Sequence, residues 1–140
     1  RLEGLRGYME SVGFPIEAGR VELMEEGSPL YAALQRVIDH EADAIYVPGH
    51  SRFAIEVMHI LQNVMKLRVP TDISVIGEEN PWWSSVANPP LTAVNVPYEK
   101  VALAAVDLMQ ELIDLKKPCR NAKKVVDVSI IERKSVRVRA

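Results

Sequence analysis

Apolar residues recur at spacings of three and four in four stretches of the chain, which is the pattern of amphipathic helices. The pattern predicts helices over residues 1–12, 28–40, 51–66 and 97–115. Ser28 is suited to cap the second helix, and Pro29 fits its first helical position. The predicted polar face of the third helix consists of Arg52, Glu56, His59, Asn63 and Lys66. In the fourth helix we expect burial of Val101, Ala105, Leu108, Leu112 and Leu115.

Between the predicted helices lie short runs of apolar and β-branched residues, which are typical of buried strands. These runs predict strands over residues 19–24, 44–47, 73–76, 91–96 and 125–131. Helices that alternate with strands indicate an α/β fold with a mostly parallel sheet flanked by helices.

The predicted strand at residues 73–76 is followed directly by charged side chains. It ends at Gly77, and the two carboxylates of Glu78 and Glu79 come next. In an open parallel sheet, residues just past the carboxyl end of a strand face the ligand crevice. The acidic pair is therefore the first candidate for binding chemistry.

Composition narrows the class of protein. The chain has 140 residues, a formal net charge of -2 and 48% hydrophobic residues, which fits one globular domain. This charge provides no basic field for nucleic acid, and no apolar run approaches the ~20 residues that span a bilayer. The single cysteine, Cys119, excludes an intrachain disulfide and fits the cytoplasm. We expect no cofactor, no metal and no membrane partner, and, because the chain begins at Arg1, a piece of a longer protein.

Five short motifs occur along the chain. They are R-L-E-G-L at residues 1–5, L-R-V-P at 67–70, D-I-S-V-I-G at 72–77, P-P-L-T at 89–92 and E-R-K-S at 132–135. In order and spacing they resemble the motifs of the lac-repressor/gal-repressor (LacI/GalR) family of bacterial transcription regulators. The resemblance covers the whole chain.

The resemblance implies a sensor domain of the periplasmic-binding-protein-like type I fold, in which strands cross between two lobes. Residues 1–90 and 123–140 would form the second lobe, and residues 91–122 would cross into the first lobe with one of its helices. The DNA-binding helix-turn-helix domain would be absent from this chain. Because most of the first lobe is also absent, we expect the helix at 97–115 to be poorly covered.

The resemblance also implies contacts to a small effector, by default a sugar or sugar derivative. The implied residues are Arg1, Gly49, His50, Glu79 and Tyr98. Arg1 matches an arginine that binds effector hydroxyls or a base, and Glu79 matches an effector-binding aspartate. His50 lies at an aspartate position in a strand-to-helix turn. For these three residues the sequence alone leaves a solvated surface side chain as the alternative.

Two adjacent tryptophans, Trp82 and Trp83, follow the acidic pair in a turn-rich loop. Aromatic rings stack on sugars and anchor protein interfaces. We favour a homodimer interface, and a place in the pocket or in the core stays open as an alternative.

The leading hypothesis is therefore a non-enzymatic effector sensor that acts in the cytoplasm and reaches DNA only through the absent helix-turn-helix domain. A periplasmic sugar-binding protein of a transporter would have the same lobes. A third class is an α/β hydrolase, because G-H-S-R at residues 49–52 resembles a nucleophile elbow centred on Ser51. Phe53 replaces the second glycine of that elbow, and His59 is the only later histidine, which disfavours the hydrolase.

Overall fold

The computed structural model describes residues 2–24, 28–49, 51–115 and 121–138. Helices and strands alternate along these residues. The helices are α1 (Leu2–Ser11), α2 (Leu30–Asp39), α3 (Ser51–His59) and α4 (Tyr98–Asp114). The strands are β1 (Ala44–Tyr46), β2 (Ser74–Glu78), β3 (Thr92–Asn95) and β4 (Ser129–Ile131). None of the described helices is both long enough and apolar enough to cross a membrane.

The strands form one sheet in the order β1-β2-β3-β4. β1 and β3 both pair in parallel with β2, and β4 pairs antiparallel with β3. This confirms the predicted α/β class with a mostly parallel sheet. The three parallel strands end at one side of the sheet, which we call the carboxyl edge. It comprises the residues that directly follow these strands, beginning at Val47, Glu79 and Val96.

The core lies between α3 and β2. The buried apolar side chains include Ala54, Val57, Met58, Leu61, Ile73 and Val75. On the opposite face of the helix, Arg52, His59, Asn63 and Lys66 are exposed. The predicted polar face is therefore exposed except at Glu56, which is half-buried, because hydrophobic spacing follows the helical period wherever one face is buried.

The close approach of α3 to the sheet depends on Gly77. A Cβ atom at this position would lie 2.7 Å from the Ala54 Cβ and 2.9 Å from the Leu91 Cδ2. Any larger residue would therefore push the helix away from β2.

The third predicted helix does not remain α-helical to residue 66. α3 ends at His59, and a π-helical segment follows over Ile60–Val64. Within it the Met65 N–H donates to the Ile60 oxygen at 2.9 Å. Lys66 then adopts a left-handed φ of 60°, and the Leu67 N–H donates to the Leu61 oxygen at 2.9 Å. Lys66 thus acts as a left-handed C-terminal cap, and the hydrogen bond from Leu67 satisfies a backbone oxygen in the last turn of the helix.

Residues 132–137, which we call the C-terminal clasp, bind β2 and β3 together. The Ser135 hydroxyl donates to the Val75 oxygen at 2.6 Å and accepts from the Thr92 N–H at 2.7 Å. The Val75 N–H donates to the Ser135 oxygen at 2.8 Å, and the Lys134 N–H donates to the Pro90 oxygen at 3.0 Å. The clasp thus satisfies buried backbone groups of both strands at their amino ends.

Two predictions near the start of α2 are wrong. Residues 19–24 form no strand, because Ala18–Arg20 is a 3-10 turn and irregular chain follows. Glu22 in that chain accepts two hydrogen bonds from Arg36, at 2.8 and 2.7 Å. A helix side chain, rather than a neighbouring strand, therefore holds this segment. Ser28 does not cap α2 either, since Pro29 takes the N-cap position without a side-chain hydrogen bond.

The fourth predicted helix forms, but its apolar face is not buried. α4 has no buried residue, and Val101 and Leu115 are exposed rather than buried as predicted. Leu108 and Leu112 are only half-buried. Ala105, which was also predicted to be buried, is exposed. Apolar side chains outside the predicted stripe are exposed too, at Leu103, Val106, Met109 and Ile113. The periodicity therefore does not predict burial in this helix, because it cannot supply a surface that covers it. The expectation that this helix is poorly covered is confirmed.

The last strand is also shorter than the predicted 125–131 and spans only Ser129–Ile131.

Candidate functional site

The carboxyl edge brings together some of the residues singled out in the sequence. Gly49 follows β1 with a positive φ of 112°, and Glu79 follows β2 directly. Tyr98 begins α4 three residues after β3 ends at Asn95, and its side chain is exposed. Because β1, β2 and β3 are parallel and adjacent, these residues lie along one side of the sheet.

Glu79 is fixed at this edge by both backbone and side chain. Its N–H donates to the Val94 oxygen at 2.8 Å, which extends the pairing of β2 with β3. Its carboxylate accepts from Arg133, Nη1 to Oε2 at 2.7 Å and Nη2 to Oε1 at 2.9 Å. The Glu79 side chain is 8% exposed and that of Arg133 is 18% exposed, so this is a largely desolvated pair. Glu79 is thus a partly buried, paired carboxylate rather than a solvated loop residue.

Arg133 is the functional candidate that the sequence pattern does not single out. It belongs to the E-R-K-S motif, but it lies 54 residues from Glu79, so no local spacing connects the two. Its Nη1 also donates to the Leu91 oxygen at 2.7 Å, and its N–H donates to the Thr92 hydroxyl at 2.9 Å. The hydrogen bonds that Arg133 donates to the Glu79 carboxylate raise the pKa of Arg133 above its usual value. The guanidinium therefore stays charged as the counter-ion of Glu79.

The two adjacent glutamates lie in different surroundings. Glu78 is the last residue of β2 and is 7% exposed. Successive residues of a strand point to opposite faces, so Glu78 and Glu79 do not present their carboxylates side by side. The acidic pair in the sequence is therefore not a pair of carboxylates sharing one site.

The two tryptophans lie on the surface. Trp82 is 80% exposed and Trp83 is 53% exposed, so the alternative of core packing is wrong. The Asn80 Oδ1 accepts from the Trp82 N–H at 2.9 Å, and the buried Ser84 hydroxyl accepts from the Asn80 N–H at 3.0 Å. These bonds hold the turn that displays both rings, which we call the tryptophan turn and define as residues 80–87.

A groove of about 290 Å³ adjoins the tryptophan turn. It is lined by Ile55, Met58, His59, Gln62, Asn63, Ala87 and Asn88. Within it the Asn63 Nδ2 lies 3.1 Å from the His59 Nδ1. A second, more apolar groove of about 460 Å³ shares Ile55 and His59 with the first and is also lined by Leu30, Glu56 and Ile60. Neither groove is lined by Gly49, Glu79 or Tyr98, so both are distinct from the carboxyl edge.

Three sequence predictions lie outside what the structure describes. Arg1 and His50 are not among the described residues, and nothing is described of the Ser51 side chain at the start of α3. Across the described residues, no group of three or more histidine, cysteine, aspartate or glutamate side chains could hold a metal ion.

The fold is that of a periplasmic-binding-protein-like domain, and the sequence pattern of that family matches residues 1–136. The HTH-type transcriptional repressor PurR of Edwardsiella ictaluri is 32% identical over 97% of this chain and 40% of its own length. The ribose operon repressor of Escherichia coli is 30% identical over 78% of this chain and 33% of its own length. A solved LacI-type regulator of Bifidobacterium animalis is 28% identical, covers 99% of this chain and superposes with a TM-score of 0.71.

The chain belongs to this family as an effector-binding domain of the LacI/GalR-type transcription regulators. It spans about 40% of the length of the repressor PurR that it matches, and 50% of the Bifidobacterium chain. These relatives are regulators, which favours the leading hypothesis over the transporter protein and over the hydrolase.

Proposed function

We propose that this chain senses a small uncharged polyhydroxylated effector, a sugar or sugar derivative, for a LacI/GalR-type regulator. The observation that carries the proposal is the Glu79 carboxylate, which is fixed at the carboxyl edge by Arg133 at 2.7 and 2.9 Å. A carboxylate has about four lone-pair sites, and Arg133 uses two of them. The other two can accept hydroxyl hydrogens of an effector as charge-assisted hydrogen bonds.

The proposed contacts around Glu79 use the other candidates at the same edge. Tyr98 offers an exposed ring and hydroxyl at the start of α4, and rings of this kind cover apolar faces of sugars. Gly49, with φ of 112°, lets the backbone after β1 approach a ligand without a side chain. The proposal adds Arg1 as a donor of planar paired hydrogen bonds and His50 as a polar contact beside Gly49.

The proposed mechanism is a population shift. In it residues 1–90 and 123–140 form one lobe, residues 91–122 cross into the other, and the effector binds better to the state with closed lobes. Closure then changes the geometry of DNA-binding heads that lie outside this chain, so effector and operator affinities are coupled. The place of action would be the cytoplasm, where the operator lies.

We further propose that the regulator is a homodimer and that the tryptophan turn lies in its interface. The two exposed rings of Trp82 and Trp83, with Val86 at 73% exposure, form an apolar projection. The 290 Å³ groove lined by Ala87 and Asn88 adjoins that projection. A two-fold interface needs a surface that complements itself, and a projection beside a groove meets this requirement.

A thermal-shift screen of the full-length regulator tests the effector proposal. The panel consists of D-ribose, D-glucose, D-galactose, cellobiose, ribose 5-phosphate, glucose 6-phosphate and hypoxanthine. Specific binding raises the melting temperature by mass action. We expect a neutral sugar to do so in the wild type and in Glu10→Gln, an exposed control on α1, but not in Glu79→Gln. A panel in which no neutral sugar shifts the wild type contradicts the proposal.

A further inference from the structure

The pair formed by Glu79 and Arg133 is more constrained than a surface ion pair. Both terminal guanidinium nitrogens donate to the carboxylate, one to each oxygen. The carboxylate cannot rotate about its terminal torsion without breaking both bonds, since bidentate pairing fixes the relative plane of the two groups. The orientation of Glu79 at the carboxyl edge is therefore set by Arg133.

Arg133 is itself fixed by bonds to backbone and side chain of a neighbouring strand. Its Nη1 donates to the Leu91 oxygen at 2.7 Å, and its N–H donates to the Thr92 hydroxyl at 2.9 Å. The next two residues of the C-terminal clasp bond to Pro90 and Val75. Arg133 is thus held to the sheet at several points. Because the guanidinium is already fixed, Glu79 is oriented before the effector binds, and little conformational entropy is lost on binding.

The charges of the pair also cancel. The two side chains are 8% and 18% exposed, so solvent screens them weakly, and each is the nearest opposite charge to the other. A carboxylate paired with a guanidinium in this way has two further lone-pair positions that can accept hydrogen bonds, but it attracts a cation only weakly. Hydroxyl groups of a neutral ligand match such an acceptor better than an ammonium group does.

We propose that Arg133 is a positioning residue for the effector site, which holds the Glu79 carboxylate oriented and charge-compensated so that it selects neutral hydroxyl donors over cations. This inference rests on the proposed function. It assigns to the C-terminal clasp a role in ligand selection in addition to its role in holding β2 and β3.

The test measures D-ribose and D-glucose affinity by titration calorimetry in the full-length regulator. The variants are Arg133→Ala, Arg133→Lys and Glu79→Gln. Arg36→Ala is the matched control, because Arg36 on α2 forms a similar bidentate pair with Glu22. Each measurement with Arg133→Ala is repeated with added guanidinium chloride at millimolar concentration, since this ion can occupy the space that the truncated side chain leaves.

We expect affinity for the bound sugar to fall about tenfold or more in Arg133→Ala, as for other residues that orient a ligand-contacting group. Arg133→Lys keeps the charge but not the paired geometry, so its loss should be intermediate. Guanidinium should restore affinity in Arg133→Ala and not in Glu79→Gln. A merely structural role would not show this rescue, because an added ion does not rebuild the lost backbone contacts. Arg133→Lys keeps the test decisive if Arg133→Ala does not fold.

Several results overturn the inference. One such result is sugar affinity that is unchanged in Arg133→Ala and Arg133→Lys but lost in Glu79→Gln. It would support the effector site at Glu79 and show that Arg133 has no positioning role. An equal loss in Arg36→Ala, or a loss in Arg133→Ala that guanidinium does not restore, shows general destabilisation. If neither sugar binds the wild type, the proposed function fails and the inference fails with it.

Discussion

The hydroxyl of Ser135 donates to the backbone oxygen of Val75 at 2.6 Å, although the two residues lie 60 positions apart. The same hydroxyl accepts from the Thr92 N–H at 2.7 Å, and Ser135 is fully buried. One side chain therefore satisfies a buried acceptor of β2 and a buried donor at the start of β3.

Replacing Ser135 with Ala should destabilise the domain. Removal of the hydroxyl leaves two buried backbone groups without this partner, and we expect a loss of about 1–3 kcal/mol in the free energy of unfolding. Ser11→Ala, which removes an exposed hydroxyl at the end of α1, is the control and should change stability by less than about 0.5 kcal/mol. Urea unfolding measures both, and equal midpoints for Ser135→Ala and the wild type would contradict the role of the clasp.

Two glycine substitutions should have opposite effects. Gly77→Ala places a Cβ 2.7 Å from the Ala54 Cβ, so α3 or β2 must shift, and we expect a loss of about 1–3 kcal/mol. Gly7→Ala lies within α1 with no atom within 4 Å of the added Cβ, and should gain up to about 1 kcal/mol from helix propensity. Thermal unfolding distinguishes them. A destabilised Gly7→Ala would mean that α1 packs against another surface.

The pair formed by Arg68 and Asp72 predicts a pH dependence of stability. Asp72 accepts from the Arg68 side chain at 2.8 and 2.6 Å and from its backbone N–H at 2.7 Å. These hydrogen bonds lower the pKa of Asp72 from 3.8 to about 2. A carboxylate with a lowered folded pKa stabilises the fold above its unfolded pKa, and this contribution disappears as pH falls through the folded pKa.

Asp72→Asn should therefore be less stable than the wild type at pH 7, and the difference should shrink between about pH 4 and about pH 2. Urea titrations at several pH values measure the difference, with the exposed Asp114→Asn as the control. A difference that stays constant down to pH 2 would show that Asp72 gains nothing from ionisation in the folded state.

The tryptophan turn predicts an effect on assembly. Exposed tryptophans that become buried in an interface are frequent sources of its free energy, so Trp82→Ala should weaken dimerisation of the full-length regulator about tenfold or more. Phe14→Ala removes another exposed aromatic, with 70% exposure, and should leave dimerisation unchanged. Sedimentation velocity over a concentration series measures both. Equal dimer affinity in Trp82→Ala, Trp83→Ala and the wild type would place the interface elsewhere.

The helices and strands that were predicted correctly are those whose buried positions can be read from the local pattern of apolar and polar residues. α3 has a polar face and a buried apolar face, and β2 contains the predicted apolar run. The strand does not end at Gly77 as predicted but includes Gly77 and Glu78, because both pair with β3. The incorrect predictions depend on distant partners. Residues 19–24 look like a strand by composition, but Glu22 in this segment pairs with Arg36 of α2 and Gly19 lies against the His40 ring. α4 has an apolar stripe by period, yet a period does not say what covers the stripe.

The same reason explains what could be predicted of the candidate site. Glu79 could be selected as a candidate from the sequence because it directly follows a buried strand, and ligands commonly bind at the carboxyl ends of parallel strands. Arg133 was not identifiable in this way, since only the antiparallel return through β4 brings residue 133 to residue 79. A contact made by chain topology leaves no local pattern in the sequence.

The most direct test of the central claim is a calorimetric titration of the full-length regulator with the neutral sugar that gives the largest shift in the thermal screen. We expect saturable binding in the wild type and in Glu10→Gln, and binding weakened at least about tenfold in Glu79→Gln. Equal affinity in all three proteins would contradict the assignment of the effector site to the carboxyl edge of the sheet.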